Sequence, residues 1–226
     1  MGRAAQALSG GMDLVLRALV LQGIWVLGTL AGGVVLGWAP ATMAALDAAA
    51  RAERGEPIRW RRTARVWKDS FVRSQVTLGL PGLFLVLAVS AALSGVLPTT
   101  VEIVLWLVAV LLLIALAHIP DLDRRYHLPA TRVMGRSVVL GLAQAPTSLL
   151  MLAVLALWTA VVLAVPGLAP FLGVAVPLMV VHHLVDRSLD RNEDLLSRPA
   201  GPPDGHPARP SRGAVAPPRP RIAPTA

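Results

Sequence analysis

The ionisable side chains in and beside the long apolar stretches are the first candidates for chemistry. Four of the five histidines in this chain of 226 residues fall there, namely His118, His127, His182 and His183. Imidazoles bind zinc and relay protons, so a cluster of them could in principle do either. Adjacent side chains on a helix point about 100° apart, which predicts that His182 and His183 cannot face one site together. We therefore expect interfacial histidines with no bound metal.

Signatures of catalysis are missing from the sequence. There is no cysteine, which excludes disulfides, thiolate nucleophiles and cysteine-ligated metals. No His-Glu-x-x-His pair, glycine-rich phosphate loop, nucleophile-elbow serine or dinucleotide fingerprint occurs. We expect no catalytic residue, no cofactor and no enzymatic activity. If the chain is a permease, the polar side chains on which solute flux should depend are Gln22, Thr77 and Glu102.

Four uncharged runs supply the elements that must hold these residues. The runs cover 18–46, 74–101, 103–120 and 137–185. A transmembrane helix needs about 20 apolar residues, so the first three runs hold one span each and the last, with 49 residues, holds two. We predict an all-α polytopic membrane domain over residues 1–197, with about five transmembrane helices and cytoplasmic amphipathic helices. The predicted spans lie near 15–37, 76–96, 101–119, 147–165 and 171–185.

The basic residues predict the orientation of these spans. Eight Lys and Arg residues separate the first two spans and four separate the third from the fourth, whereas the other two hairpins carry none. Loops rich in Lys and Arg stay in the cytoplasm, which predicts a cell-membrane protein with its N-terminus outside. The C-terminal tail, 198–226, is then cytoplasmic. Its nine prolines and five arginines predict disorder.

The end of the first predicted span is rich in glycine, with Gly28, Gly32, Gly33 and Gly37. Small residues four positions apart let a second helix approach the backbone closely. We interpret the pattern as packing inside the bundle, with a homodimer seam as the second interpretation. An alanine-rich helix over 44–54 follows. It is too short to cross the membrane and is expected at or below the inner membrane surface.

The next predicted helix has an aromatic face and a basic face. The aromatic side chains recur at helical spacing, and the basic ones lie away from them. This pattern predicts an interfacial helix whose rings sit in the headgroup layer and whose cations contact anionic lipid. Nucleic-acid binders also interleave tryptophan with basic residues, but membrane spans on both sides argue against nucleic acid as a partner. The residues are Trp60, Arg61, Arg65, Trp67, Lys68 and Phe71.

The segment that joins the first span to this basic helix resembles a known family. The segment that contains Ala39, Pro40, Ala41 and Leu46 looks like a Gly-x-Pro-Ala-x-x-Ala-Leu turn into a helix. The chain thereby resembles the YesL-like family of bacterial integral membrane proteins, which has no established molecular function. Its members often accompany genes for carbohydrate uptake. The resemblance therefore implies an accessory or regulatory role with sugar-transporter components as partners, and a small permease or channel is the alternative.

Overall fold

A computed structural model describes residues 2–126 and 129–197, and all regular structure within these two ranges is helical. The helix α3 continues through a π-helical turn, Gln75–Gly79, directly into α4. A 3-10 turn, Pro166–Leu168, precedes the short helix α8. The helices are α1 (Gly2–Ala31), α2 (Trp38–Glu53), α3 (Trp60–Ser74), α4 (Leu80–Ala92), α5 (Thr99–Tyr126), α6 (Ala130–Ala143), α7 (Ala145–Ala164), α8 (Ala169–Leu172) and α9 (Ala175–Ser197).

Four helical stretches of the described chain are long and apolar enough to cross a membrane. They are Gly10–Ala31, Trp60–Ala92, Thr99–Arg124 and Ala145–Ala164. Pro166–Leu172 and Ala175–Arg191 pass the same test only as a pair, and they meet at an angle of 60°. The predicted all-α class with about five candidate spans is confirmed. The predicted disordered tail, 198–226, lies outside the described residues.

The chain reverses direction directly after α1, because Gly33 and Val34 adopt positive φ angles of 72° and 53°. Glycine enters this left-handed region easily, whereas a β-branched side chain does so at a cost. The helix therefore ends at Ala31, before the predicted end of the first span at residue 37. Only Gly28 of the four predicted packing glycines lies on α1. The prediction that Gly32, Gly33 and Gly37 continue a stripe on one helix is wrong, because they form the turn.

Two of these glycines are required by close backbone contacts. A Cβ atom on Gly37 would stand 2.1 Å from the carbonyl oxygen of Thr29. A Cβ atom on Gly32 would stand 2.3 Å from the Cα atom of Gly37. The turn can close this tightly only because both positions lack a side chain, and it directs α2 back along α1.

The helix α2 lies inside the bundle, packed between α1 and α3. That this segment lies at or below the inner membrane surface stays a prediction, whereas its burial between two helices was not predicted. Ten of its 16 residues are buried, because alanine side chains let the neighbouring helices come close. All four residues of the family-like turn are among them, with Ala39, Pro40 and Ala41 in its first turn and Leu46 in its middle. The buried residues of α1 that share a core with its alanines are Ala18, Leu21 and Ile24.

A second core joins the π-helical turn, α5 and α9. Leu78 from the turn, Ile119 from α5 and Val185 from α9 are all at most 1% exposed. This packing fixes the last turns of α5 against the middle of α9. It brings the polar residues that follow the apolar part of α5 beside the end of α2.

Candidate functional site

A buried polar cluster lies where α2, α5 and α9 meet. Asp121 on α5 and His182 on α9 are each only 1% exposed. Asp186 follows His182 by four residues and therefore lies on the same face of α9. Glu53, the last residue of α2, lies opposite. Three separate helices thus contribute ionisable side chains to one place.

The imidazole of His182 is held by the carboxylate of Asp121. Its Nδ1 atom donates a hydrogen bond to Oδ1 of Asp121 over 2.7 Å. A carboxylate can only accept, so the proton must lie on Nδ1. The guanidinium of Arg124 lies 3.2 Å from Asp121 and 3.5 Å from Asp186 and pairs with both carboxylates. These contacts tie α5 to α9 in a defined register.

Both adjacent histidines face the carboxylate of Glu53. Nε2 of His182 lies 3.6 Å from Oε2, and Nδ1 of His183 lies 3.8 Å from Oε1. The prediction that the two imidazoles cannot face one site is therefore wrong, because the two oxygens of a third residue span the angle between them. His118 stands apart and contacts the carbonyl oxygen of Ile114 through Nδ1 over 2.9 Å. His127 lies outside the described residues.

Residues of the cluster line two cavities. A polar cavity of about 390 Å³ is lined by Ala50, Glu53, Arg54, Arg124 and Asp186. On the other side, Asp121 and His182 border an apolar cavity of about 210 Å³. The buried Asp121–His182 pair therefore lines the apolar cavity, and the side chains that contact the pair, Glu53 and Arg124, line the polar one.

A second polar feature is an arginine-lined cleft between the end of α2 and the start of α3. Its volume is about 540 Å³. Arg54 donates a hydrogen bond to Glu56 over 3.0 Å, and this contact, with nearby arginines, holds the pKa of Glu56 below its usual range. The cleft thus offers a strongly cationic surface. Its lining residues are Arg51, Glu56, Pro57, Arg59, Arg61, Arg62 and Arg65.

The structure divides the predicted interfacial helix into an outer and an inner part. Trp60 is 56% exposed, and the basic side chains Arg61, Arg65 and Lys68 are exposed as well. Trp67 instead packs inward and donates from Nε1 to the carbonyl oxygen of Gly28 over 3.1 Å. Its ring meets that of Phe71 edge-on, with centroids 5.1 Å apart. These two rings therefore fix α3 against α1 and leave the basic face outward.

The polar residues proposed for a permease have local partners. Oε1 of Gln22 accepts hydrogen bonds from the backbone N–H groups of Val174 and Ala175, over 3.1 and 2.9 Å. Thr77 donates to the carbonyl oxygen of Arg73 over 3.2 Å. The structure does not bring these two side chains and Glu102 into one site. Gln22 caps the start of α9, which explains its burial.

Sequence reasoning missed Glu53, Asp121 and Asp186. A signal was present, because Asp121 directly follows an uncharged run that ends at Pro120. The spacing of His182 and Asp186 also places them one helical turn apart. What the sequence could not reveal is that the end of α2 comes to lie beside them.

The known proteins to which this chain is similar have no described activity. Residues 18–93 match the family model described as "Protein of unknown function, DUF624". The chain is also 28% identical over 196 residues to "Uncharacterized protein YesV" of Bacillus subtilis (strain 168), which covers 83% of this chain and 93% of YesV. No solved structure matches the chain. The resemblance predicted from the sequence is confirmed, because both matches are consistent with similarity to the YesL-like DUF624 family.

Proposed function

We propose that the chain is a non-enzymatic protein of the bacterial cytoplasmic membrane that acts as an accessory or regulatory partner of a carbohydrate-uptake system. The YesL-like resemblance supports this role, and the candidate spans support the membrane location. The proposed orientation has the N-terminus outside and the C-terminus in the cytoplasm, on the strength of the basic loops. A reporter fused after Ala226 that is active only outside the cell would contradict this orientation.

The observation that carries the proposal is the exposed basic face of α3. Arg61, Arg65 and Lys68 point away from the bundle, while the inward contact of Trp67 with Gly28 holds the helix in place. The helix continues without interruption to Ala92 as one stretch of 33 residues, which corresponds to a length of about 50 Å. A partner that binds the basic face therefore acts on an element that also crosses the membrane.

Co-purification in mild detergent tests the proposal. We expect a sugar-transport component to be enriched with the full chain. The enrichment should be lost when Arg61, Arg65 and Lys68 are all replaced by Glu, because the contact depends on positive charge. The matched control replaces the two arginines by Lys and Lys68 by Arg, which keeps the charges and should keep the partner. Recovery of no transport component above background would count against the proposal.

A small permease is the second candidate, and one observation favours it. The Asp121–His182 pair lines the apolar cavity and contacts Glu53 and Arg124, which line the charged cavity, and a gating group of a channel would have such contacts. Liposomes that contain the purified chain would then show solute flux, and Asp121→Asn would reduce it. Glu102 lines neither cavity. Flux that depended on Glu102 and not on Asp121 would contradict this location of the pathway.

A further inference from the structure

No group among the described residues donates a hydrogen bond to Nε2 of His182. Asp121 fixes a proton on Nδ1, so in the neutral imidazole Nε2 carries the lone pair and is an acceptor. The side chain is 1% exposed, and Nε2 has no hydrogen-bond partner among residues 2–126 and 129–197. A buried, unpaired imidazole nitrogen that a carboxylate orients from behind is the arrangement of a metal-binding histidine.

The atoms around Nε2 have the spacing of ligands around an ion. The distance of 3.6 Å from Nε2 to Oε2 of Glu53 is too long for a hydrogen bond. Two ligands bound tetrahedrally at about 2.1 Å from a zinc ion lie about 3.4 Å apart. Asp121, His182 and Asp186 each offer a ligand atom within 4.8 Å of the others, and Glu53 from α2 lines the same polar cavity as Asp186. Nitrogen and carboxylate ligands therefore converge from α2 and α9.

We infer that this cluster is a binding site for a divalent transition-metal ion of the zinc type. The ligands are Nε2 of His182 and the carboxylates of Glu53 and Asp186, and Asp121 orients His182. The imidazole selects zinc over magnesium or calcium, which favour oxygen ligands alone. The polar cavity of about 390 Å³ that Glu53 and Asp186 line provides the entry path. The site goes beyond the proposed function and does not depend on it.

Arg124 competes with the ion for this position. Its guanidinium pairs with Asp121 and Asp186, which is where a cation would bind. The side chain is 25% exposed and borders the polar cavity, so it has space to turn outward. Removal of this competing charge should therefore strengthen metal binding, which a merely structural cluster would not show.

The experiment is a calorimetric titration of the full chain in detergent, without a histidine tag and after treatment with a chelator. We expect one equivalent of Zn²⁺ to bind and Mg²⁺ not to compete. Glu53→Gln and Asp186→Asn should each weaken Zn²⁺ binding by about tenfold or more. Both residues are partly exposed, at 40% and 29%, so these variants should fold. Arg124→Gln should tighten binding.

The matched control is Glu102→Gln, which makes the same change outside the cluster and should bind Zn²⁺ as the wild type does. Absence of Zn²⁺ binding by the wild type would overturn the inference and would leave the His182–Glu53 contact as an ion pair only. Equal Zn²⁺ affinity in the wild type, Glu53→Gln and Asp186→Asn would also overturn it. In that case the bound ion would lie elsewhere on the chain.

Discussion

The hydrogen bonds of Gln22 stabilise the break between α8 and α9, and their removal should lower the stability of the chain. The break between α8 and α9 leaves the backbone N–H groups of Val174 and Ala175 without a partner in the helix, and Oε1 of Gln22 accepts from both. Gln22 is only 4% exposed, so water does not substitute for it. Gln22→Leu keeps the size of the side chain and removes the acceptor.

The size of the effect follows from the two N–H groups that lose their partner. Each buried unpaired group costs about 1–3 kcal/mol, so the free energy of unfolding should fall by about 2–6 kcal/mol. A chain of this length loses about 2–4 °C of melting temperature for each kcal/mol. The melting temperature of Gln22→Leu should therefore drop by at least about 4 °C.

The assay is thermal unfolding in detergent, followed by tryptophan fluorescence, together with hydrogen exchange at Val174 and Ala175. The control is Gln144→Leu, because the buried Oε1 atom of Gln144 has no partner in the part of the chain that the structure describes. The same substitution there should be neutral or stabilising. Equal melting temperatures for Gln22→Leu and the wild type, with unchanged amide exchange, would refute the assignment of Gln22 as a cap.

Three further predictions concern the turn after α1 and the contact of α3 with α1, and thermal unfolding measures each. Val34→Gly should stabilise the chain by roughly 0.5–1 kcal/mol, because removing the backbone strain of a valine at positive φ outweighs the added entropy of the unfolded chain. A loss of stability would show that Val34 is not strained. Gly37→Ala should destabilise by about 3 kcal/mol or more, since its Cβ would meet the backbone of Thr29, and wild-type stability would contradict the close contact. Trp67→Phe should cost about 1 kcal/mol or more, because the bond to Gly28 is lost and the smaller ring fills less space, whereas an unchanged melting temperature would show that neither contributes.

The helical class and the apolar spans could be predicted because composition alone encodes them. A run of about 20 uncharged residues can bury its backbone polar groups only as a helix in a membrane. The sequence also predicted a break between the spans at 147–165 and 171–185, where a 3-10 turn, Pro166–Leu168, separates α7 from α8. These features depend on neighbours in the chain, so no knowledge of tertiary contacts was needed.

The burial of α2 could not be predicted, because a charge argued against it. Asp47 lies within the alanine-rich segment, and a charged side chain favours an exposed helix. In the structure its carboxylate pairs with Arg51 one turn later, over 2.8 Å, and Arg51 is itself only 1% exposed. The helix thus neutralises its own charge and can pack inside. Hydrophobicity is assigned to each residue separately, so the hydrophobic pattern of the sequence does not show that Asp47 and Arg51 neutralise each other.

The candidate site was missed for a related reason. The argument about His182 and His183 used only the directions of neighbouring side chains on one helix. The carboxylate that both imidazoles face comes from Glu53, which is 129 and 130 positions away in the sequence. The contact exists because the glycine turn after α1 sends α2 back through the bundle. Sequence reasoning located the histidines but not the residue that joins them.

The central claim is that the basic face of α3 binds a component of a carbohydrate-uptake system, and photocrosslinking in intact cells tests it most directly. A photoreactive side chain in place of Arg61 or Arg65 probes the exposed basic face, and one in place of the exposed Leu157 on α7 serves as the control. We expect an adduct with a sugar-transport component from positions 61 and 65 on α3 and none from position 157. Adducts with lipid alone from positions 61 and 65 would contradict it.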